Sequence, residues 1–272
     1  MLHETQNVDR VSNLSREEFL QNYGICGKPV IFLDLMDNWK AKTCWTPEFF
    51  KSKYGATNVT VRKTKTPDDE RTMRLGEYID YMESTKEENP YYLKYWGFSD
   101  DCPELLEDYN IPEYFNSWHH QLPDEIRPRW SWIYIGPTNT GTEMHIDPAM
   151  SSAWNAVISG RKRWVFYPPE NEPYLYDGKV DAFNPDLNKY PLFAKARCLT
   201  CIQNSGEVIF TPGGWWHQIV NEENCIAITG NFVNETNYKT VKNYLEVSEM
   251  PKLNQLKQAV KQYIPQFYSN SQ

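Results

Sequence analysis

Between residues 130 and 233 glycine and proline cut the chain into eight short runs rich in β-branched and aromatic residues, and no other feature limits its fold as much. The runs cover 130–135, 141–147, 153–159, 162–167, 199–203, 207–211, 218–221 and 225–233. Strands of that length with turn signals between them predict a small barrel or jelly roll. The last run also sorts its side chains. Cys225, Ala227, Thr229 and Asn231 alternate with Ile226, Ile228 and Phe232, so one face is small or polar and the other large and apolar. The apolar face is expected to pack on helices, and the small face to leave room for a ligand.

Outside this block helices and strands mix. Residues 1–12 are polar and expected to fray. Ser15 and Glu18 form a capping-box pattern for a short helix that Gly24 stops. A buried strand follows at 29–35, then a helix opened by Thr46 and Pro47, a strand at 59–62 and a charged loop at 63–71. Leu75, Tyr78, Ile79 and Met82 recur at helical spacing and predict a helix over 75–84. An aromatic strand at 90–96, a short helix around Leu105 and Tyr109, and a surface connection over 111–129 complete this part. No flexible linker sets it apart, so 1–125 is expected to form an α/β layer packed on a barrel of residues 126–236. An insertion at 168–197, rich in Pro, Asp and Asn, belongs at the surface. Residues 237–272 carry two helices, 238–247 and 253–263, which either close the barrel or form a homodimer contact.

Composition bounds the partners. The 272-residue chain is 40% hydrophobic, enough for one large core, and its ten tryptophans fit a β-rich core or aromatic-lined clefts. A net charge of −8 disfavours RNA or another polyanion and suits a cationic substrate such as a lysine or arginine side chain. No apolar run reaches about 18 residues and the first residues lack a signal-peptide pattern, so the expectation is no membrane span and an intracellular protein, nuclear or cytoplasmic. Six cysteines are too sparse for a disulfide scaffold; Cys198 and Cys201 read as half-buried thiols, with no second pair nearby to complete a zinc site. His119 and His120 read as an exposed surface pair, Trp215 and Trp216 as packing, and the acidic clusters at 68–70 and 87–88 as solvated loops.

One constellation carries chemistry. His145 and Asp147 are one residue apart, which in an extended strand puts both side chains on the same face. An imidazole beside a carboxylate makes two of the three ligands of a facial iron(II) site. The chain has only five histidines, and His217, behind the Pro212-Gly213-Gly214 turn, is placed to be the third. Such a pair alone is more often a turn or surface feature; its neighbours raise it. Lys162 shares a strand face with Trp164 and Phe166, so it either snorkels at an edge or holds an anion inside. Asn155 shares a face with the small Ala153.

The segments His145-Ile146-Asp147-Pro148, Ser152 to Ala156, Lys162-Arg163-Trp164, Pro212 to His217 and Ala227-Ile228-Thr229 together resemble the jumonji-C family of iron(II)/2-oxoglutarate oxygenases. The nearest resemblance is to its jumonji-domain-6 branch, known for arginine demethylation and lysyl hydroxylation. It continues through 77–84 and 105–109 and covers roughly residues 10–240. It implies a mainly β fold with α: a double-stranded β-helix, the cupin-type jelly roll, with surrounding helices. It further implies His145, Asp147 and His217 as ligands of Fe(II). Lys162 would pair with the distal carboxylate of 2-oxoglutarate, and Thr229 would hydrogen-bond to it. Asn155 and Tyr92 would line the same pocket. Thr142 matches a further contact but is out of strand parity with His145, so a bend is required there. The implied activity is hydroxylation of a protein side chain, lysine first. N-methyl arginine or lysine demethylation comes next, then RNA or nucleoside hydroxylation, then a non-catalytic binding cupin. The branch's long basic and serine-rich tails have no counterpart in this sequence, and 168–198 differs, so the resemblance bears on the oxygenase core rather than on substrate or compartment.

Overall fold

The structure is a computed structural model that describes residues 6–268. It opens with two short strands, β1 (Gln6–Asn7) and β2 (Asp9–Val11), where fraying was expected. Both pair in parallel with strands of the body, and Val8 between them is buried, which holds the segment down. Helix α1 (Arg16–Phe19) starts at the expected capping box, Ser15 and Glu18 each satisfying the other's backbone N–H. The buried strand β3 (Val30–Phe32), α2 (Ala41–Cys44) and α3 (Pro47–Tyr54) follow; the Thr46 hydroxyl accepts from the Phe49 N–H and Pro47 takes the first turn of α3. Next comes β4 (Asn58–Lys63). The charged stretch expected as a loop returns as β5 (Glu70–Arg74), antiparallel to β4. It is the edge of its sheet, where charged side chains are at home and obscure the strand signal.

Helix α4 (Leu75–Ser84) buries the predicted stripe of Leu75, Tyr78, Ile79 and Met82. Strand β6 (Tyr91–Trp96) leads into a series of 3-10 turns, which replace the helix expected around residue 105. One of these turns corrects the reading of the histidine pair. His119 is buried, its ring 5.2 Å from that of Trp130, and only His120 faces solvent.

The eight predicted strands all form: β7 (Ser131–Gly136), β8 (Gly141–His145), β9 (Ser152–Ser159), β10 (Arg161–Tyr167), β11 (Leu199–Asn204), β12 (Val208–Thr211), β13 (Trp216–Asn221) and β14 (Cys225–Phe232). They divide four and four between two facing sheets, a jelly-roll core. The smaller sheet runs β1-β11-β10-β13-β8 and the larger β2-β3-β12-β9-β14-β7-β6-β4-β5. The N-terminal region thus lends strands to the barrel's own sheets as well as helices to its outside. On β14 the predicted division holds. Ile226, Ile228 and Phe232 join the main core with Phe19, Phe32, Trp154 and Phe210, while Cys225 and Ala227 turn inward. Part of the interior is filled by Trp164 and Phe166, stacked 5.3 Å apart at 7°, with Ile31, Ile209 and Ile219.

The insertion after β10 lies at the surface as expected, but it is packed. Its 3-10 turns bury Leu175, Val180, Ala182 and Phe193 beside Tyr167. Helices α5 (Tyr238–Val247) and α6 (Pro251–Tyr263) form a further cluster in which Val241, Leu245 and Val260 meet Leu122 and Val233. No helix among the described residues is long and apolar enough to cross a membrane.

Candidate functional site

His145 ends β8, His217 lies near the start of β13, and the two are direct cross-strand partners with ring centroids 4.2 Å apart. Past β8 the chain turns sharply, with Ala149 and Met150 both left-handed at φ 55° and 58°. This turn, which follows Asp147, leans on the turn that precedes His217. A Cβ on Gly213 would stand 2.4 Å from the Met150 carbonyl oxygen, and the Gly213 N–H donates to Ser152 Oγ at 3.0 Å. Gly214 takes φ +79°. The Pro-Gly-Gly signal is therefore a close approach of two backbones, and it brings Asp147 to His217.

One donor atom from each of His145, Asp147 and His217 lies within 4.8 Å of the others, and His217 Nε2 is 3.8 Å from Asp147 Oδ2. His145 Nδ1 sits 2.7 Å from the Glu143 carbonyl oxygen and His217 Nδ1 3.1 Å from that of Trp215. A carbonyl only accepts, so each Nδ1 carries the proton and each Nε2 keeps a free lone pair. Burial, reinforced by the neighbouring His145, holds His217 well below the usual histidine range, so it is neutral at pH 7. Burial pushes the Asp147 carboxyl up, opposed by His145 and by the Asn231 amide. Asp147 Oδ2 is buried with no hydrogen-bond partner among the described residues. A shielded carboxylate oxygen is costly unless a cation joins it. Two free imidazole lone pairs and one orphaned carboxylate oxygen fit a divalent metal such as iron(II), and no other such group occurs among the described residues.

The three side chains open onto a cavity of about 470 Å³ that Tyr92, Thr142, Asn155, Lys162 and Thr229 also line, so all eight residues singled out in the sequence meet there. Lys162 is 3% exposed, and its ammonium donates to Asn221 Oδ1 at 2.7 Å and Tyr92 Oη at 3.1 Å. Both partners are neutral, and no carboxylate pairs with it among the described residues. It does not snorkel. Thr142 reaches the cavity by the bend its parity required: His217 pairs with His145 but Ile219 pairs with Thr142, so β8 holds one extra residue, a bulge. Asn155 and Thr229 are cross-strand partners. Asn155 Oδ1 has no partner among the described residues, whereas the Thr229 hydroxyl donates to the Trp154 carbonyl at 2.6 Å and is already engaged.

Sequence reasoning gave no role to several residues that build the site. Asn221 pairs with Lys162 across β13 and β10, and its amide donates to Thr140 Oγ1 at 2.9 Å, so it anchors the lysine. Its signal was parity: it lies four residues past His217 on the same strand face. Trp164 stacks on His217 at 5.9 Å. Tyr95, Trp132 and Tyr134 line one side of the cavity, and no motif pointed to them.

A cupin-like domain family matches residues 15–238. Among curated proteins the chain is 38% identical over 246 residues to a lysine-specific demethylase, JMJ21, of Arabidopsis thaliana, across 85% of this chain and 26% of that one. It is 34% identical over 270 residues to the bifunctional arginine demethylase and lysyl-hydroxylase psr-1 of Caenorhabditis elegans, across 90% and 66%. It is 31% identical over 259 residues to the 2-oxoglutarate and iron-dependent oxygenase JMJD4 of Gallus gallus, across 85% and 60%. The chain spans between about a quarter and two thirds of the length of these relatives. A match over most of the chain, and a His-x-Asp and a distant His converging inside a jelly roll, carry one conclusion: the chain belongs to the cupin-like, jumonji-C family.

Proposed function

We propose that this protein is an Fe(II)- and 2-oxoglutarate-dependent oxygenase that hydroxylates a protein side chain, with lysine as the first substrate. The observation that carries the reading is Lys162: a buried ammonium with only neutral partners, facing the cavity that holds the three metal donors. Such a cation calls for an anion, and a dicarboxylic 2-oxo acid supplies one in the same cavity as the metal donors. His145, Asp147 and His217 would hold the iron, and Lys162 would hold the distal carboxylate of 2-oxoglutarate. The Tyr92 hydroxyl, which accepts from Lys162, would lie beside that carboxylate. Thr229 joins only after turning its hydroxyl away from Trp154. Asn155 and Thr142, which line the same cavity, would border the co-substrate. When bound, iron(II) and 2-oxoglutarate supply activation of oxygen, with the 2-oxo acid decarboxylated to succinate and a substrate C–H becoming C–OH. The chain's part is to position the co-substrate, to orient both imidazoles through their Nδ1 contacts, and to exclude water with the Trp164 and Phe166 stack behind His217.

N-demethylation is a second reading, because relatives are named as arginine and lysine demethylases and because a hydroxylated N-methyl carbon departs as formaldehyde. The acidic balance makes RNA the weaker substrate, and a purely binding cupin has no use for metal donors and a buried lysine together. The test is incubation of purified protein with iron(II), 2-oxoglutarate and lysine- or arginine-containing peptides. Succinate should form, and the peptide should gain about 16 Da for hydroxylation or lose about 14 Da for demethylation. His145→Ala and Asp147→Ala should abolish both. Absence of succinate with every peptide and with RNA refutes the oxygenase reading.

A further inference from the structure

The wall of the cavity formed by Tyr95, Trp132 and Tyr134 has no part in holding metal or co-substrate, and its construction is unusual. Tyr95 is not glycine, yet its backbone is left-handed at φ 61°. The pairing of β6 with β7 explains how. Leu93 faces Ile135 and Trp96 faces Ile133, so Lys94 and Tyr95 together stand opposite the single residue Tyr134, a bulge. Strained backbone of this kind persists where the surroundings impose it and gathers at functional sites. Here it turns the Tyr95 ring toward the cavity, edge-on to Tyr134 at 5.6 Å and to Trp132 at 6.1 Å, while leaving Tyr95 45% exposed. Tyr134 continues the wall inward to Tyr92 at 5.9 Å. The rings thus run from the solvent side of the cavity down to the co-substrate lysine.

The charges beside these rings are negative or already matched. Lys94 lies 5.8 Å from the Tyr95 centroid and is paired with Glu143 Oε2 at 3.0 Å. The other oxygen of Glu143, Oε1, is shielded and has no hydrogen-bond partner among the described residues. Burial first, and then the charge of Glu143, push the Tyr95 hydroxyl up to about 12, so the Glu143 carboxylate acts on the ring. Aromatic faces with such a carboxylate nearby attract cations and offer nothing special to an uncharged aliphatic chain.

We propose that Tyr95, Trp132 and Tyr134 form the specificity wall of the site, receiving the cationic end of a substrate lysine or arginine side chain, with Tyr95 as its decisive residue. This rests on the oxygenase reading for its purpose but not for its test. The full chain is labelled with 5-fluorotryptophan, loaded with zinc(II) as a non-turning-over substitute, and followed by fluorine NMR, the Trp132 signal being assigned by its loss in Trp132→Phe. The probes are Nα-acetyl-lysine methylamide, Nα-acetyl-arginine methylamide and the uncharged Nα-acetyl-norleucine methylamide. A cationic probe should shift the Trp132 signal saturably and norleucine should not; the tighter of lysine and arginine identifies the preferred side chain. Tyr95→Phe should keep the affinity, and Tyr95→Ala should weaken it about fivefold to thirtyfold, the worth of one ring's attraction for a partly desolvated cation. Tyr95→Gly removes the ring while accepting the left-handed backbone, and unchanged signals from the remaining tryptophans show that the fold is intact. The proposal is overturned if norleucine shifts Trp132 as the cations do, if neither cation shifts it, or if Tyr95→Gly binds like wild type. Binding here without succinate formation would sink the oxygenase reading and spare the wall, and the converse result would do the opposite.

Discussion

Replacing Lys162 by methionine should move stability and co-substrate affinity in opposite directions. The ammonium is buried, and its partners, Asn221 Oδ1 at 2.7 Å and Tyr92 Oη at 3.1 Å, are neutral. A charge withdrawn from water without a counter-charge carries an effective penalty of several kcal/mol. Methionine of similar length removes that penalty but strands Asn221 Oδ1, which costs about 1–3 kcal/mol. The protein without co-substrate should therefore be as stable as wild type or about 1–2 kcal/mol more stable, a small rise in Tm. Binding of 2-oxoglutarate should suffer instead. Losing one partner of a buried, hydrogen-bonded ion pair costs about 3–4 kcal/mol, which raises Kd on the order of 100-fold to 1,000-fold. Calorimetric titration of 2-oxoglutarate into manganese-loaded protein measures the affinity, and a parallel manganese titration should show the metal site intact. A Lys162→Met protein that melts far lower yet binds 2-oxoglutarate normally would refute the reasoning and leave the lysine as a structural post for Tyr92 and Asn221.

Other expectations follow from single contacts. Gly213→Ala drives a Cβ to 2.4 Å from the Met150 carbonyl, so the Asp147 turn must move; overpacking of this kind costs about 1–3 kcal/mol, and metal affinity read by titration should fall with it. Unchanged metal affinity would detach the two turns from the site. Burial lowers the His119 pKa from 6.5 to about 3, so its contribution to stability is complete above about 6.5 and is lost as pH falls toward about 3. Urea unfolding of metal-free protein should show a stability loss from this group of up to about 2 kcal/mol between pH 6.5 and pH 5, reduced in His119→Gln. If the variant has the same pH slope as wild type, the buried His119 is not its source. Asn221→Leu should weaken 2-oxoglutarate binding with little effect on manganese, since Asn221 reaches the site only through Lys162. An equal loss of metal would assign it a different role.

Much of the fold was legible because it depends on local rules. The strands between residues 130 and 233 announce themselves by turn residues and alternation, α4 by its apolar stripe, and α1 and α3 by their caps. Misreadings arose where the sheet overrode local character. Polar residues at the N-terminus and in β5 became strands because neighbours offered paired backbone groups, and His119 was buried by the turn that faces it onto Trp130.

The site divides along the same line. His145, Asp147, His217 and Lys162 stand out in the sequence because their chemistry is rare in a barrel interior and because the spacing of His145 and Asp147 fits one strand face. Their convergence was not written in any local pattern. Pairing of β8 with β13 sets His145 against His217, the bulge in β8 brings Thr142 onto the cavity, and Gly213 lets two distant turns touch. The aromatic wall is the clearest case. Nothing in the residues around Tyr95 announces a left-handed backbone, because that conformation is imposed by two strands that pair out of step. Sequence determined which groups were available for chemistry; strand register, a property of contacts between residues far apart in the chain, decided which of them face one another.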